Sequence, residues 1–180
     1  MGSPDAVIQF WFREHGQKDW FGANPDFDRA IAERFGETHQ ALARGEGFSW
    51  RGTAEGRLAE IIVLDQFSRQ LHRGSPLAFA QDGMALVLAQ EAVAGGFDRQ
   101  LAGVERGFLY MPYMHSESLL VIETGLPLFA AVNDDFAKAA QGHADCVRRF
   151  GRYPKRNAVL GRRSTPGELA YLAEIGDRMF

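Results

Sequence analysis

The stretch RLAEIIVLDQFSRQLHRG, residues 57–74, decides the fold. Its apolar side chains recur with the spacing that places them on one face of an α-helix. They are Leu58, Ile61, Ile62, Leu64, Phe67 and Leu71. Strands have little to be built from, since valine, isoleucine and threonine together number 19 against 24 alanines and 16 leucines. The sequence therefore predicts an all-α fold around this helix.

Capping residues mark the ends of the other helices. Ser3, Asn24, Ser75 and Thr165 each precede a proline, which is typical of a first helical turn. Thr165 also has Glu168 three residues on, and the two complete a capping box. Further boundaries are predicted at Asn133, where a helix begins, and at Gly45, Gly74, Gly95 and Gly151, where helices end. We expect a single-domain bundle or superhelix over residues 1–180, with about seven or eight helices.

The composition excludes several classes of protein. Hydrophobic residues make up 46% of the chain and charged residues 24%, as in an ordinary globular domain. No apolar run approaches the roughly 20 residues that span a bilayer, and the N-terminus MGSPDAVIQF lacks the pattern of a cleaved signal. The lone Cys146 excludes an internal disulfide and suits a reducing compartment. We therefore expect a soluble, cytoplasmic protein that has no membrane partner.

A polar stripe runs beside the apolar face of the central helix. Asp65, Arg69 and Arg73 are successive i,i+4 neighbours, and Gln66 lies next to them. On a solvated face this stripe would be an ordinary ion pair of little energetic value. Four apolar residues precede Asp65, however, and they indicate partial burial. Two arginines against one aspartate would then leave a positive charge for a ligand. Both interpretations stay open, and all four residues are candidate ligand contacts.

The segment FLYMPYMHSES, residues 108–118, interrupts an apolar helix. Pro112 cannot donate a backbone hydrogen bond, so it ends or kinks the helix. Ser116 could cap the next helix, with Glu117 in its first turn. His115 is then left as a candidate general acid or base, and Glu117 as its partner or as an alternative catalytic group. The competing interpretation is a core histidine that is only hydrogen-bonded.

The sequence predicts no metal site and no cofactor. His115 and Glu117 lack the i,i+4 histidine pair of a helical zinc motif. Gly151 and Gly161 are isolated, so no phosphate-binding loop or dinucleotide fingerprint is present. Cys146 has no partnered motif around it, and we interpret it as a small core residue.

Residues 148–163, RRFGRYPKRNAVLGRR, form a basic segment on an otherwise acidic chain. The net charge of the whole chain is −3, so the seven basic side chains of this segment leave −10 for the remainder. Forked donors fit a carboxylate or a phosphate, and this makes candidate anion contacts of Arg152, Arg156, Asn157 and Arg162. They could equally pair with acidic helix ends and hold the C-terminal segment down. The segment is too small for a nucleic-acid-binding face, so we expect no nucleic-acid partner.

Three long motifs resemble those of a known family. They are LDQFSRQLHRGSPLAFAQD, ERGFLYMPYMHSES and RFGRYPKRNAVLGRRSTPGELAYL, and the opening FWF…KDWFGANPDFDRAIAERF extends the likeness over nearly the whole chain. The chain resembles the bacterial family catalogued as domain of unknown function 924. The resemblance implies an all-helical fold related to the tetratricopeptide-like superhelices, and it implies no activity.

Two functions from different classes remain. In the first, the protein binds or acts on a small anionic ligand, and the three polar segments converge in one pocket. In the second, a tetratricopeptide-like surface binds a peptide or protein partner without catalysis. The second requires Trp11, Phe12, Trp20 and Phe21 to line a groove, although large apolar side chains usually pack in a core. A third possibility is a domain whose polar residues only hold its helices together.

Overall fold

The computed structural model describes residues 1–22 and 24–176, and most of them are helical. The described part contains nine helices: α1 (Pro4–Gln9), α2 (Gln17–Trp20), α3 (Pro25–Ala43), α4 (Ala54–Ile61 and onward), α5 (Asp82–Ala94), α6 (Gly103–His115), α7 (Leu119–Ala130), α8 (Asp134–Phe150) and α9 (Pro166–Ile175). No strand occurs among these residues, and the predicted all-α class is confirmed. The count exceeds the expected one because α2 is a four-residue helix without a side-chain cap.

Two of the helices continue as wider, π-helical turns. Helix α1 continues through Phe10–Glu14, and α4 continues through Ile62–Phe67 before it ends as Ser68–Leu71. Four short 3₁₀ segments connect the remaining elements, at Phe48–Gly52, Pro76–Phe79, Phe97–Gln100 and Pro154–Arg156. Within the described ranges, no helix is both long and apolar enough to cross a bilayer.

The predicted capping residues begin helices as expected. Ser3 Oγ accepts a hydrogen bond from the Ala6 N–H, and Asn24 and Asn133 cap α3 and α8 in the same way. Thr165 forms the complete capping box with Glu168 at the start of α9. Ser75 caps only the 3₁₀ turn that precedes α5. These boundaries were readable from sequence because a cap involves residues only two or three apart.

Helix α4 lies at the centre of the core. It contacts α1, α3, α5 and α6, and Ile61, Ile62, Val63, Leu64 and Phe67 are completely buried. A smaller apolar cluster lies between α7, α8 and the segment after α8, where Cys146 is buried as predicted. Because α4 is enclosed on nearly every side, its polar residues must find partners inside the protein.

The aromatic residues near the N-terminus pack mostly in the core. Trp11 is fully buried, while Phe12 and Trp20 are partly buried against the same cluster. Phe21 remains 50% exposed and lies at the edge of a cavity described below. The prediction of core packing is confirmed for Trp11 and Phe12, whereas Trp20 packs against the core and also lines that cavity.

The predicted helix boundary in residues 108–118 is wrong in its details. Helix α6 passes through Pro112 and ends at His115, and α7 begins only at Leu119. Ser116 does not cap α7; its Oγ accepts a hydrogen bond from the Ser118 N–H at 3.1 Å. Tertiary contacts of Glu117, described below, hold it in the connection between the helices. Glu117 is therefore outside the first turn of α7.

Candidate functional site

The π-helical turn of α4 brings a carboxylate into the centre of the molecule. Asp65 lies in this turn and is completely buried. Arg69 spans the wider turn, because its Nη1 donates to the Asp65 carbonyl oxygen at 2.5 Å and lies 3.1 Å from Asp65 Oδ1. Gln66, the next residue, donates its side-chain N–H to Asp65 Oδ2. Such turns recur at functional sites in proteins.

Asp65 orients His115, which comes from the C-terminal end of α6. Asp65 Oδ1 and His115 Nδ1 are 2.7 Å apart. A carboxylate only accepts hydrogen bonds, so Nδ1 carries the hydrogen and Nε2 keeps its lone pair. The two residues are fifty positions apart in sequence, and together they form an Asp–His dyad with one ring nitrogen available as a base.

The charges around the dyad keep the imidazole neutral. Burial and the nearby Arg69 guanidinium hold the pKa of His115 below its ordinary value. Burial alone would raise the pKa of Asp65, but the charge of Arg69 and the hydrogen bonds from His115 and Gln66 outweigh it and keep that pKa low. At neutral pH the dyad is therefore an ionised carboxylate bonded to a neutral imidazole, which is the form of a general base.

Asp82, which the sequence analysis did not single out, completes this charge network. Its carboxylate accepts from Arg69 at 3.0 and 3.1 Å and from Arg156 at 3.1 Å. Arg156 also donates to the His115 carbonyl oxygen at 2.9 Å, and its guanidinium lies 4.5 Å from the centre of the Phe79 ring. The sequence signal for Asp82 was its place at the end of the motif LDQFSRQLHRGSPLAFAQD, which carries the resemblance to the family.

The expected surplus of positive charge is not present. Arg69 is matched by Asp65 and Asp82, and Arg73 pairs with Asp28 at 2.7 and 2.9 Å. Of the two interpretations left open, structural pairing describes these arginines, because further partners come from α3 and α5. Of the two arginines, Arg73 is the more open, with 46% of its side chain exposed.

The arginines of the basic segment have two kinds of partner. Arg156 contacts the dyad, whereas Arg152 and Arg162 pair with carboxylates away from it. Arg152 pairs with the buried Glu168 at 2.7 Å. Arg162 donates to both oxygens of Glu117, at 2.6 and 2.8 Å, and to the side chain of Asn157 at 3.0 Å. The alternative of internal pairing therefore describes Arg152, Asn157 and Arg162, whereas Arg156 reaches the dyad.

Glu117 belongs to this second layer rather than to the dyad. Besides Arg162, its carboxylate accepts the backbone N–H of Tyr153 at 2.7 Å. Burial raises its pKa, but the hydrogen bonds from Arg162 and Tyr153 outweigh that effect and lower it. Glu117 is thus a paired, ionised carboxylate that fixes the connection between α6 and α7, and nothing in this geometry favours a proton-transfer role.

A cavity of about 440 Å³ opens beside His115, between α4, α6, α8 and the α2 segment. Polar side chains of α4 line one wall, and the opposite walls are mainly apolar. The α4 residues are Gln66, Arg69, Gln70 and Arg73, and the other walls include the apolar Trp20, Phe21, Met111, Met114 and Phe136 beside the polar Gln17, His115, Asp135 and His143. This volume lies within the range of small-molecule sites.

His143 of α8 lies next to His115 at the same end of the cavity. Their ring centres are 6.2 Å apart, and His143 Nδ1 donates to the Ala139 carbonyl oxygen at 2.8 Å. Burial, together with the neighbouring His115, lowers the pKa of His143 to about 3. Both imidazoles are therefore neutral at physiological pH. They make this end of the cavity polar but add no charge to it.

A sequence profile of bacterial proteins of unknown function, DUF924, matches residues 7–176. The chain belongs to the DUF924 family. A solved structure of a protein of unknown function from Agrobacterium tumefaciens is 35% identical, with a TM-score of 0.91 over 95% of this chain and 97% of that one. No curated protein matches the DUF924 chain. The family resemblance and the fold are confirmed, and the family and the solved structure are both described as of unknown function.

A second cavity of about 400 Å³ lies across His115 from the first. In the DUF924 protein its wall includes Phe79, Asp82, Glu117 and Arg156, and His115 lines both spaces. No group of three metal-ligating side chains occurs in the described parts of the chain. The oriented imidazole of His115 can take part in proton transfer, and side chains of α4 can donate hydrogen bonds beside it.

Proposed function

We propose that this DUF924 protein is an enzyme that binds a small molecule in the α4–α6–α8 cavity and removes a proton from it with His115. The observation that supports this is the dyad itself. A completely buried carboxylate holds a neutral imidazole at the wall of a cavity, with 2.7 Å between Asp65 Oδ1 and His115 Nδ1. Asp65 would stabilise the imidazolium that forms when Nε2 takes the proton.

The free-energy cost of burying these charges favours a functional role over the purely structural role of holding helices together. Asp65, Arg69, Asp82 and Arg156 all had to leave water to form the network, and buried ion pairs seldom stabilise a fold more than apolar residues of the same size. A network that is retained at that cost, at the wall of a cavity, is expected where charge positions a reacting group.

The ligand of this proposal carries an anionic group. Arg73 lies at the outer part of the α4 wall, and 46% of its side chain is exposed, so water competes with Asp28 for the guanidinium. A carboxylate or phosphate on the ligand could take the place of Asp28 and bind both arms of the guanidinium. Asp135 lies on the cavity wall as well, which disfavours ligands with several negative charges.

The alternative function, a tetratricopeptide-like module that binds a peptide or protein, has less support. It needs an aromatic groove, but Trp11 and Phe12 pack in the core and only Trp20 and Phe21 reach the cavity. We place the proposed activity in the cytoplasm, where the buried Cys146 stays reduced. The whole chain would act as one all-helical domain.

The proposal is tested by substrate consumption in a bacterial metabolite extract. Wild-type protein and the variants His115→Gln and His72→Gln are incubated with the extract, and the compounds are followed by mass spectrometry. We expect wild type and His72→Gln to consume the same compound, because His72 does not line the cavity. His115→Gln should be slower by about 10²–10⁴-fold, the usual contribution of a general base.

Two results would contradict the proposal. One is a compound consumed equally by wild type and His115→Gln. The other is a thermal-shift screen of small carboxylates and phosphates in which no compound raises the melting temperature of the wild type beyond a general salt effect, because a specific ligand stabilises the state it binds.

A further inference from the structure

One polar side chain of the cavity has no role in the dyad or the charge network. Gln70 is 6% exposed and lies on the α4 wall, one helical turn beyond Gln66. Its Oε1 is buried without a hydrogen-bond partner in the ranges 1–22 and 24–176. Gln66, by contrast, donates to Asp65.

The burial of the Gln70 side chain costs free energy of folding. A buried amide oxygen that accepts no hydrogen bond has lost its water without compensation. A methionine or leucine would fill the same wall at no such cost, and the facing helix α6 uses Met111 and Met114 for that purpose. The fold gives no reason for an amide at this position, so its partner is to be sought among molecules that enter the cavity.

The shape and chemistry of the surrounding walls restrict that partner. A glutamine amide holds a donor and an acceptor side by side in one plane, and the partner that satisfies both presents an acceptor beside a donor. The terminal torsion of glutamine is broad, so the amide turns toward the cavity with little strain. Trp20, Phe21 and Phe136 supply flat apolar surfaces on which a ring can pack.

We infer that the ligand is a planar ring whose edge carries an N–H beside a carbonyl or ring nitrogen, and that Gln70 pairs with this edge. The inference rests on the proposed function, since it names the ligand class of the same cavity. Gln70 lies about 6 Å along α4 from Gln66, between the dyad and Arg73. The bound ring therefore directs one substituent toward His115 and another toward Arg73.

A matched pair of probes tests whether Gln70 pairs with a ring edge that carries an N–H beside a carbonyl. Quinolin-2(1H)-one has an N–H beside a carbonyl, and its N-methyl analogue keeps the ring and the carbonyl but loses the donor. Both are titrated by ligand-observed NMR into wild type, Gln70→Met and His115→Gln. We expect wild type and His115→Gln to bind the N–H compound about tenfold more tightly than the analogue, the value of one or two hydrogen bonds. Gln70→Met should bind the two equally.

Equal affinity of the two probes for wild type, no binding of either, or a preference that survives in Gln70→Met would overturn the inference. Failure of the proposed function gives a different pattern. If the probe preference depends on Gln70 but His115→Gln consumes substrate as fast as wild type, the ligand class stands and the general base does not.

The melting temperature of the ligand-free protein gives an independent test. Gln70→Met removes an unpaired, buried amide oxygen and should raise the melting temperature by about 2–4 °C. The matched variant Gln66→Met removes a donor to Asp65 and should lower it. A melting temperature that falls in Gln70→Met would show that the amide has a structural partner and would contradict the inference.

Discussion

Single residues at the centre of this protein have their chemistry set by what surrounds them. His115 stays neutral because it is buried beside a guanidinium, and it keeps its orientation because Asp65 accepts from Nδ1. Asp65 stays ionised because Arg69 and His115 offset the cost of its burial. Neither residue would have these properties on an exposed helix, so the site is a consequence of its enclosure in the core.

Buried neutral histidines make the protein sensitive to acid. Unfolded histidine takes up a proton near pH 6.5, whereas the pKa of His143 is lowered to about 3. Between these values the unfolded state binds the extra proton, so stability falls as the pH drops through this window. The slope due to His143 is at most about 1.4 kcal/mol per pH unit. The lowered pKa of His115 adds to it in the same direction.

Urea denaturation of wild type and His143→Gln between pH 7 and pH 4 measures this effect. The variant should lose less stability than wild type over this range, because its side chain cannot titrate. Gln141→Ala, an exposed change on the same helix, serves as the control and should keep the wild-type slope. Identical slopes for wild type and His143→Gln would show that His143 is not buried in the neutral form.

Among the elements, α4 carries both the core and the polar wall of the cavity. Its start is fixed by Thr53, whose hydroxyl accepts the Gly56 N–H at 3.0 Å. The Trp50 carbonyl packs directly against Gly56, where no side chain fits. The position of this first turn sets the position of Asp65 three turns later, so a change at the start of α4 is felt at the site.

Gly56→Ala should therefore be destabilising, although alanine favours helices. The added Cβ would overlap the Trp50 backbone, which cannot move as a flexible side chain can, and we expect a loss of about 1–3 kcal/mol. Gly83 of α5 is the matched control, because its Cβ would meet nothing within 4 Å. Gly83→Ala should stabilise by about 0.5–1 kcal/mol. Chemical denaturation measures both, and a neutral Gly56→Ala would contradict the packing.

In the whole molecule, the site exists only because distant segments meet. Asp65 comes from α4, His115 from the end of α6, Asp82 from the start of α5, and Arg156 from the turn after α8. The segment after α8 covers the other three residues, and Arg156 makes its contacts with Asp82 and His115. The C-terminal part of the chain is therefore a structural component of the site as well as a cover for the core.

A double-mutant cycle on Asp82→Asn and Arg156→Gln measures this closure. The two side chains are 18% and 14% exposed, and we expect a coupling energy of about 1.5–3 kcal/mol in unfolding. The exposed pair Arg148–Glu123 is the control, with an expected coupling of about 0.2–1 kcal/mol. A buried pair that couples no more strongly than the exposed one would mean that Arg156 does not hold the segment in place.

The sequence by itself determined the class of the fold and many of its helix boundaries. Periodicity and caps depend on residues a few positions apart, so Ser3, Asn24, Asn133 and Thr165 could be placed from local chemistry alone. His115 was also predicted as a candidate residue, because it is a titratable group that follows a proline in apolar surroundings. That it lies near arginines of the other segments was a hypothesis built on this prediction.

Only the tertiary structure decided which charges meet. Asp82 was overlooked and Glu117 was given a catalytic role that its contacts do not favour. Helix α7 begins later than expected, after Ser116, because Arg162 and the Tyr153 N–H bind Glu117 in the connection before it. These pairings join residues dozens of positions apart, and an ion pair depends on distance in space rather than on the pattern along the chain. The geometry of packed helices is what brings them within hydrogen-bonding reach.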